Sequence, residues 1–220
     1  MLFKDRTEAG RRLAMRLMAR RDGLDLLLLG LARGGVAVAF EVAVALHARL
    51  DVLVVRKLGV PGRKELAMGA IAPGNVVVKN PSVLAASDIS DEMFQAAVDG
   101  QRAVLAQNEA AYRGPRPAMI IQNRLVVLID DGLATGASMQ AAVEAVRVQE
   151  AARVEVAVPV AAREACRKLR PLVDDLICLE TPEPFFGVGQ WYDDFRQISD
   201  EEVRQLLEPA EQRLMAGSPD

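Results

Sequence analysis

The chain has 220 residues, 51% of them hydrophobic and 26% charged, and a formal charge of −3. These values exclude an intrinsically disordered chain, which needs low hydrophobicity and high net charge, and no apolar run reaches the roughly 18 residues of a membrane span. A single histidine, His47, argues against a His-based triad and is expected in a structural role. Two cysteines, Cys166 and Cys178, are expected as buried thiols without a close Cys or His partner for zinc, and the cytoplasm is the expected location.

Charge is distributed unevenly between the two ends of the chain. Residues 1–22 carry seven basic and three acidic side chains, whereas residues 180–220 carry three basic and ten acidic ones. A basic N-terminal helix can serve as a nucleic-acid arm or a transit peptide, but Leu13 and Leu17 belong to a helical apolar stripe. The preferred interpretation is a packed helix with a solvated basic face, and no nucleic-acid partner is expected.

Strand and helix patterns alternate along the chain, with a Gly/Pro-rich loop at Leu58–Lys64. Apolar and β-branched runs predict strands at Leu24–Leu31, Asp51–Lys57, Leu66–Ala72, Val76–Lys79, Leu125–Asp130, Val154–Val160 and Leu176–Leu179. Helices are predicted at Val36–Leu50, Ser90–Arg113, Met139–Gln149 and Ala161–Leu169, and a last one opens at the capping box Ser199–Glu202. This alternation predicts an α/β fold with a doubly wound, mainly parallel sheet flanked by helices.

The strongest functional pattern follows the predicted strand Leu125–Asp130. This strand delivers Asp130 and the adjacent Asp131 to its C-terminal end, where open α/β sheets bind ligands. A turn of small residues with Thr and Ser hydroxyls then opens a helix, and its backbone amides and positive helix end suit a phosphate group. An acidic pair beside an anion cradle fits a ligand that carries both a phosphate and hydroxyl groups or a bound cation.

The thirteen residues Val126–Ser138 resemble the 5-phosphoribosyl-1-pyrophosphate (PRPP) signature of type I phosphoribosyltransferases: four apolar residues, two acidic ones and a turn containing Thr-Gly. The resemblance implies that catalytic Asp130 and Asp131 engage the ribose hydroxyls, directly or through a Mg²⁺ cofactor. The 5′-phosphate would be held by Ala134, Thr135, Gly136, Ala137 and Ser138. A single domain over residues 1–220 is implied, with a core of about 23–180, hood segments of about 1–22 and 181–220, and a helical insertion of about 87–115.

A Gly-rich turn after the first predicted strand looks like the family's pyrophosphate loop. Small residues there let the backbone approach an anion, and Arg33 supplies positive charge. The pyrophosphate-binding residues implied by this likeness are Ala32, Arg33, Gly34 and Gly35, with Arg33 also catalytic.

A second basic element closes the predicted second strand, where the family places a basic residue against pyrophosphate. Lys57 is preferred for this catalytic role, with Arg56 as the alternative on the opposite face of the strand. The following segment, Gly59–Glu65, is expected to be the mobile loop that covers the site. Arg63 and Lys64 within it would either face the ligand or belong to a solvated charged hairpin.

Five of the nine aromatic residues of this ring-poor chain fall in one stretch, Phe185–Phe195. The stretch loosely resembles the acceptor-binding hood of purine phosphoribosyltransferases, and flat rings there can stack on a nucleobase at about 1–3 kcal/mol per base. The alternative is a small aromatic core that ties the last helix to the sheet. The residues expected to face an acceptor are Phe185, Phe186, Val188, Trp191 and Tyr192.

The resemblance does not extend to hypoxanthine–guanine specificity, because Ala134 and Trp191 stand where those enzymes carry acidic residues. Over essentially the full chain the arrangement is most similar to a bacterial subgroup of predicted phosphoribosyltransferases. The implied function is transfer of the phosphoribosyl group from PRPP to a nucleobase or similar nitrogen heterocycle, with release of pyrophosphate. The alternatives are a PRPP- or nucleotide-sensing regulatory protein and an unrelated paired-Asp phosphohydrolase. A homodimer is expected from the family.

Overall fold

The computed structural model describes residues 1–18, 25–114 and 116–216, apart from the side chains of 64–65 and 209–216. Its strands are β1 (Leu26–Leu31), β2 (Arg49–Leu53), β3 (Arg56–Val60), β4 (Arg63–Ala72), β5 (Val76–Lys79), β6 (Leu125–Ile129), β7 (Arg153–Val160) and β8 (Asp175–Glu180). Its helices are α1 (Arg6–Met18), α2 (Gly34–Leu46), α3 (Pro81–Ala86), α4 (Asp91–Arg113), α5 (Ala137–Val148), α6 (Arg163–Leu169) and α7 (Asp200–Ala216).

The centre of the fold is a five-stranded sheet in the order β2-β1-β6-β7-β8, and every neighbouring pair in it is parallel. Helices cover both of its faces, so the predicted α/β fold with a doubly wound, mainly parallel sheet is confirmed. Among the described residues, no helix is both long and apolar enough to cross a membrane.

Alternating residues of β1 belong to two separate hydrophobic clusters, one on each face of the sheet. Leu28 packs with α1, α2, α4 and α7 on one face of the sheet, whereas Leu27 and Leu29 pack with α5 and α6 on the other. All three leucines are almost completely buried. A parallel strand covered on both sides has no polar face, and this explains the unbroken apolar run in the sequence.

The first helix–strand boundary differs from the prediction. The helix expected over Val36–Leu50 ends at Leu46, because His47 adopts a left-handed conformation (φ 50°) and its N–H caps the carbonyl of Ala43. The second strand consequently begins at Arg49 and ends at Leu53, so the boundaries predicted for Asp51–Lys57 were wrong. His47 thus has a structural role, as a helix C-cap.

A second, antiparallel sheet in the order β3-β4-β5 replaces the loop predicted at Leu58–Lys64. Only Pro61 and Gly62 remain in the turn of its first hairpin, with Gly62 at φ 75°, while Gly59 lies at a register shift inside the sheet. The prediction treated every Gly and Pro of this segment as a loop signal. In the structure, Arg56-Lys57 opens β3 and does not close the second strand of the central sheet.

Serine caps start the two helices predicted from Ser90 and from Ser199. Ser90 accepts a hydrogen bond from the N–H of Met93 (3.2 Å) and starts α4, which ends at Arg113 as expected. At α7, the Ser199 N–H donates to Glu202 (2.9 Å) and the Glu202 N–H donates back to Ser199 Oγ (3.1 Å). This reciprocal pair is the predicted capping box.

The two terminal segments of the described chain meet beside the carboxyl end of the central sheet. Phe3 forms a parallel bridge with Tyr192, and the N–H groups of Leu2 and Phe3 both donate to the Trp191 carbonyl at 3.0 Å. The Asp193 N–H donates to the Phe3 carbonyl at 2.9 Å. We call residues 2–5 and 185–199 the hood contact region, since they pack together here.

A buried ion pair joins α4 to the edge of the central sheet. Arg113 Nε donates to both carboxylate oxygens of Asp51 (3.0 and 3.2 Å), and its Nη2 donates to the Val52 carbonyl (2.9 Å). The Met119 N–H donates to the same carboxylate at 3.1 Å. Both charged side chains are over nine-tenths buried, so each depends on the other for solvation.

Asp51→Ala is expected to lower the free energy of unfolding by about 3–5 kcal/mol, because it removes the buried counter-ion of Arg113 and leaves that guanidinium with only the part-buried Glu109 as its carboxylate partner. Urea denaturation followed by circular dichroism measures the loss. The matched control on the same helix is Arg102→Ala, which breaks the exposed pair with Asp99 and should lower stability by about 1 kcal/mol or less. Equal losses in the two variants would contradict the assignment.

Candidate functional site

The predicted site loops lie at the point where the central sheet changes direction. β1 pairs with β2 on one side and with β6 on the other, so the chain winds both ways from this position. Residues 32–35 follow β1 and residues 130–138 follow β6, both at the carboxyl edge. In open α/β sheets this crevice is the common ligand position.

The two loops pack so closely that glycine is required between them. A Cβ added to Gly34 would lie 1.9 Å from the Asp131 carboxylate oxygen Oδ2. One added to Gly35 would lie 2.5 Å from the Ile129 carbonyl and 2.9 Å from the Asp130 Cα. The Arg-Gly-Gly turn therefore brings bare backbone against the acidic pair.

Asp131 is held by an arginine from the helix that was predicted to present a solvated basic face. Arg6 Nε and Nη2 each lie 2.8 Å from Asp131 Oδ2, with the two side chains only 10% and 14% exposed. The remaining nitrogen of the guanidinium, Nη1, donates to the Arg196 carbonyl at 2.8 Å. The Arg6 Cζ lies 4.0 Å from the centroid of the Phe195 ring. This role of Arg6 was not predicted from the sequence. Its spacing of seven residues from the buried Leu13 places both on the same helical face, and this spacing is the sequence signal that indicates burial of Arg6.

The two carboxyl groups of the acidic pair have raised pKa values. Burial and the neighbouring charge of Asp131 raise the pKa of Asp130 well above its usual value. Burial also raises the pKa of Asp131, and Arg6 opposes that rise. The Asp131 main chain is tied down as well, since its N–H donates to Asp130 Oδ1 (2.9 Å) and its carbonyl accepts from the Tyr192 hydroxyl (2.6 Å).

Residues 134–138 form the turn before α5 and the first residues of that helix. Gly136 adopts a left-handed conformation (φ 76°) as the N-cap of α5, so Ala137 and Ser138 form the first helical turn and do not belong to the predicted loop. Thr135 is exposed, and its hydroxyl accepts a weak hydrogen bond from the Ala137 N–H (3.4 Å). Backbone amides and a hydroxyl at a helix N-terminus suit a phosphate.

Two arginines gather on the side of the Gly-rich turn. Arg33 Nη1 lies 3.4 Å from Asp200 Oδ1 at the start of α7. Burial and a hydrogen bond with Asp200 raise the pKa of Tyr112, while Arg33 and Arg56 oppose the rise, so all four groups share one neighbourhood. Arg56 donates twice to the Gln101 side chain, at 3.1 and 2.7 Å.

Lys57 and the hairpin lie apart from that group. Lys57 lines a cavity of about 130 Å³ with Gln140 and Glu144 of α5. Arg63 is exposed near the tip of the β3–β4 hairpin, and the side chain of Lys64 lies outside the described residues. Arg33 and Arg56 thus each act on Tyr112, whereas Lys57 lines a cavity with residues of α5.

The aromatic residues of the hood divide into two groups. Tyr192 is 2% exposed and packs between Phe3 and Phe195, with ring centroids 5.4 and 5.1 Å apart, so it belongs to the small aromatic core that was the alternative interpretation. Phe185 lies 6.1 Å from the Trp191 ring, and Phe186 is 85% exposed.

The hood also touches the signature loop directly. A Cβ added to Gly132 would lie 2.5 Å from Val188 Cγ1, so this contact requires the glycine.

Together, these elements define an α/β protein whose candidate site lies in a switch-point crevice, where the acidic pair adjoins the turn at the start of α5. The phosphoribosyl transferase domain model matches residues 5–194, and the chain belongs to that family.

Among solved structures, the crystal structure of TT1426 from Thermus thermophilus is similar to this chain at 42% identity and a TM-score of 0.84, covering 94% of this chain and 98% of that one. A hypoxanthine phosphoribosyltransferase from Staphylococcus aureus shares the fold at 13% identity and a TM-score of 0.50, covering 88% of this chain and 81% of that one.

Two proteins of Mycobacterium tuberculosis, from strains CDC 1551 and H37Rv, are named provisionally as phosphoribosyl transferases. Each is 44% identical to this chain over 209 residues, covering 95% of it. The chain spans about half the length (47%) of these curated relatives.

Arg6→Gln is expected to destabilise the protein in a pH-dependent way. Without Arg6 the pKa of Asp131 in the folded state rises further, so ionisation of the buried carboxyl penalises that state as pH increases. The loss in the free energy of unfolding should reach about 3–5 kcal/mol at pH 8. It should shrink towards pH 4, which is near the pKa of Asp131 in the unfolded chain, because below that pH the carboxyl is protonated in both states. Urea denaturation at the two pH values measures this difference.

The matched control is Arg11→Gln on the same helix, which removes a 70% exposed partner of Glu41 and should change stability little at either pH. A loss for Arg6→Gln that is identical at pH 4 and pH 8 would mean that Arg6 only fills space.

Proposed function

We propose that this protein is a phosphoribosyltransferase that moves the 5-phosphoribosyl group from PRPP to a ring nitrogen of a nucleobase or similar heterocycle, releasing pyrophosphate. The observation that carries the proposal is the placement of Asp130 and Asp131 between the phosphate cradle and the Gly-rich turn of Arg33. The acidic pair matches the ribose hydroxyls of PRPP, the cradle matches its 5′-phosphate, and the Gly-rich turn matches its pyrophosphate.

In this arrangement the 5′-phosphate accepts hydrogen bonds from the backbone of residues 134–138 and from Thr135. The ribose 2′- and 3′-hydroxyls face the two carboxylates. Arg33 and the main chain of Gly34 and Gly35 lie beside the pyrophosphate, where charge-assisted hydrogen bonds stabilise the departing anion.

The acidic pair fits Mg²⁺ as a cofactor that arrives with its ligand. Buried, adjacent carboxylates with raised pKa values gain from a nearby cation. No group of three or more potential metal-ligating side chains is found within the described ranges, and Mg²⁺ commonly combines one or two carboxylates with substrate phosphates. When bound, Mg²⁺ would neutralise charge on the pyrophosphate side, with Asp130 and Asp131 as its protein partners.

The chemistry requires little covalent participation from the protein. The bond from ribose C1 to the pyrophosphate oxygen breaks as a bond from the acceptor nitrogen to C1 forms, and the nitrogen proton leaves to solvent. Carboxylates near the ribose stabilise the positive charge that develops at C1, and the site holds both reactants in line.

An acceptor with a flat ring is supported by the hood. Phe186 is exposed and Phe185 and Trp191 are only partly buried, so these rings have faces available for stacking. A homodimer and a cytoplasmic location stay predictions.

A second candidate, a PRPP- or nucleotide-sensing protein, is favoured by one observation. Asp131 is paired with Arg6, Arg33 with Asp200, and Arg56 with Gln101, so ligand binding would exchange contacts that already tie the site to α1, α7 and α4. Pyrophosphate release from Mg·PRPP, assayed with a panel of purines, pyrimidines and other heterocycles, separates the two. Turnover with any acceptor supports the enzyme, and tight PRPP binding with no turnover across the panel supports the sensor.

Asp130→Asn is expected to weaken binding of Mg·PRPP by about 100-fold or more. The same variant is expected to raise the free energy of unfolding by about 1–3 kcal/mol at pH 8. The raised pKa of Asp130 means that its ionised form penalises the folded state above its usual pKa, and the amide removes that penalty. Isothermal titration calorimetry and urea denaturation measure the two effects.

The matched control is Asp193→Asn, an exposed hood carboxylate, which should leave PRPP affinity and stability unchanged. Wild-type affinity in Asp130→Asn would overturn the proposed binding mode.

Arg56→Gln is expected to weaken inorganic pyrophosphate binding about tenfold, a loss of about 1.4 kcal/mol, while Lys57→Gln changes it less than about twofold. The shared neighbourhood of Arg56 and Arg33 supports this choice over the preference for Lys57 drawn from the sequence. Calorimetric titration with pyrophosphate decides it, since a larger effect at Lys57 would restore that preference.

A further inference from the structure

The first turn of α7 contacts the Gly-rich turn through an ion pair. Arg33 Nη1 and Asp200 Oδ1 lie 3.4 Å apart, and the two side chains are 32% and 54% exposed. Asp200 is the first residue of α7, and Arg33 immediately precedes α2. The arginine proposed to stabilise the pyrophosphate group therefore already has an anionic partner, which comes from a segment 167 residues further along the chain.

The Asp200 carboxylate is presented by a turn that is fixed from behind. The reciprocal capping box of Ser199 and Glu202 closes this turn, and Arg196 Nη2 lies 2.5 Å from Glu202 Oε1. The hydrogen bonds with Arg196 and Ser199 lower the pKa of the Glu202 carboxyl to about 2, so this ion pair persists at neutral pH. The next residue, Val203, is completely buried in the core. Asp200 is thus held in place beside the Gly-rich turn.

The same segment also reaches the acidic pair. The Arg196 carbonyl accepts a hydrogen bond from Arg6 Nη1, and Arg6 Nε donates to Asp131 Oδ2, both at 2.8 Å. Residues 196–200 therefore connect the two sides of the proposed PRPP site, because one end contacts the partner of Asp131 and the other end contacts Arg33. A ligand that engages Arg33 releases one of these two attachments.

We infer that Asp200 is an intramolecular competitor for Arg33, which lowers the affinity of the site for pyrophosphate until the ligand displaces it. The inference rests on the proposed function, because it takes the Gly-rich turn as the pyrophosphate subsite. It identifies a residue that sets the affinity of that subsite without touching the ligand.

Two electrostatic effects of Asp200 act in the same direction. Its carboxylate contacts the Arg33 guanidinium, so pyrophosphate must replace this contact. Its negative charge also repels the incoming anion over distances within the Debye length, about 8 Å at physiological salt. Pyrophosphate prevails in this exchange because a guanidinium can bind phosphate oxygens bidentately. The contact with Asp200 is a single, partly exposed one at 3.4 Å, and such pairs stabilise little.

The test is calorimetric titration of the full chain with inorganic pyrophosphate. Asp200→Asn should bind pyrophosphate about three- to tenfold more tightly than wild type at about 50 mM salt, and less than about twofold more tightly at about 500 mM salt, where the charges are screened. Unchanged or weaker binding by Asp200→Asn at the lower salt concentration would overturn the inference.

The matched control is Glu201→Gln, which removes the same charge from the same helical turn. Glu201 pairs with Arg204 of α7, so this variant should change pyrophosphate affinity less than about twofold. An equal gain in affinity in Glu201→Gln would overturn the inference, because the gain would then come from net charge alone.

Arg33→Gln separates the inference from the proposed function. This variant should weaken pyrophosphate binding about tenfold or more, and adding Asp200→Asn to it should change the affinity less than about twofold, because the competitor has lost its target. Equal pyrophosphate affinity in wild type and Arg33→Gln would overturn the proposed pyrophosphate subsite, and the inference with it. Binding that depends on Arg33 but is unchanged in Asp200→Asn would overturn the inference alone.

Discussion

The ion pair between Arg6 and Asp131 is the interaction on which the site depends. Asp131 is placed at the end of a buried strand by the central sheet, where an ionised carboxyl is costly without a partner. Arg6 supplies that partner from the first helix, and the same guanidinium contacts the Arg196 carbonyl and the Phe195 ring. One side chain therefore fastens α1, the signature loop and the hood contact region to one another.

The close approach of the Gly-rich turn follows from the same geometry. With Asp131 oriented by Arg6, the carboxylate lies against Gly34, and the main chain at Gly35 lies against the strand end. Burial and the charge of Asp131 raise the pKa of Asp130, and Arg6 opposes that rise. The crevice thus holds two carboxyl groups whose ionisation penalises the folded state, in agreement with the stability that binding sites commonly give up for function.

The parts of the site that were predictable are local in sequence. The strand, the acidic pair and the cradle after β6 are contiguous, so hydrophobic pattern and turn chemistry were enough to find them. Arg56 and Lys57 were placed on the wrong strand because the apolar run 52–55 continues to them without a turn residue, although β2 ends at Leu53 and β3 begins at Arg56. The end of α2 was misplaced because a helical Ala/Val run gives no sign of the left-handed conformation at His47.

Other features depend on pairs of residues that are distant in the chain. Arg6 and Asp131 are 125 residues apart in the chain, and Arg113 and Asp51 are 62 residues apart. A charged residue on a mostly basic helix is interpreted as solvated until the partner that buries it is known. The antiparallel sheet was missed for a different reason, because the Gly and Pro residues that allow its hairpin are also the residues of loops.

The pairing of Phe3 with Tyr192 has a consequence for how the chain folds during synthesis. Strands β1, β2 and β6 can associate once residue 129 has emerged, and each addition of β7 and β8 extends an existing edge. Arg6 and the first strand-like residues must wait for residues 191–196, which the ribosome delivers tens of residues later. In a nascent chain, Asp131 therefore lacks its contact with Tyr192 until those residues appear. Contacts between the two ends of the chain have a large sequence separation, so they are among the slowest to form.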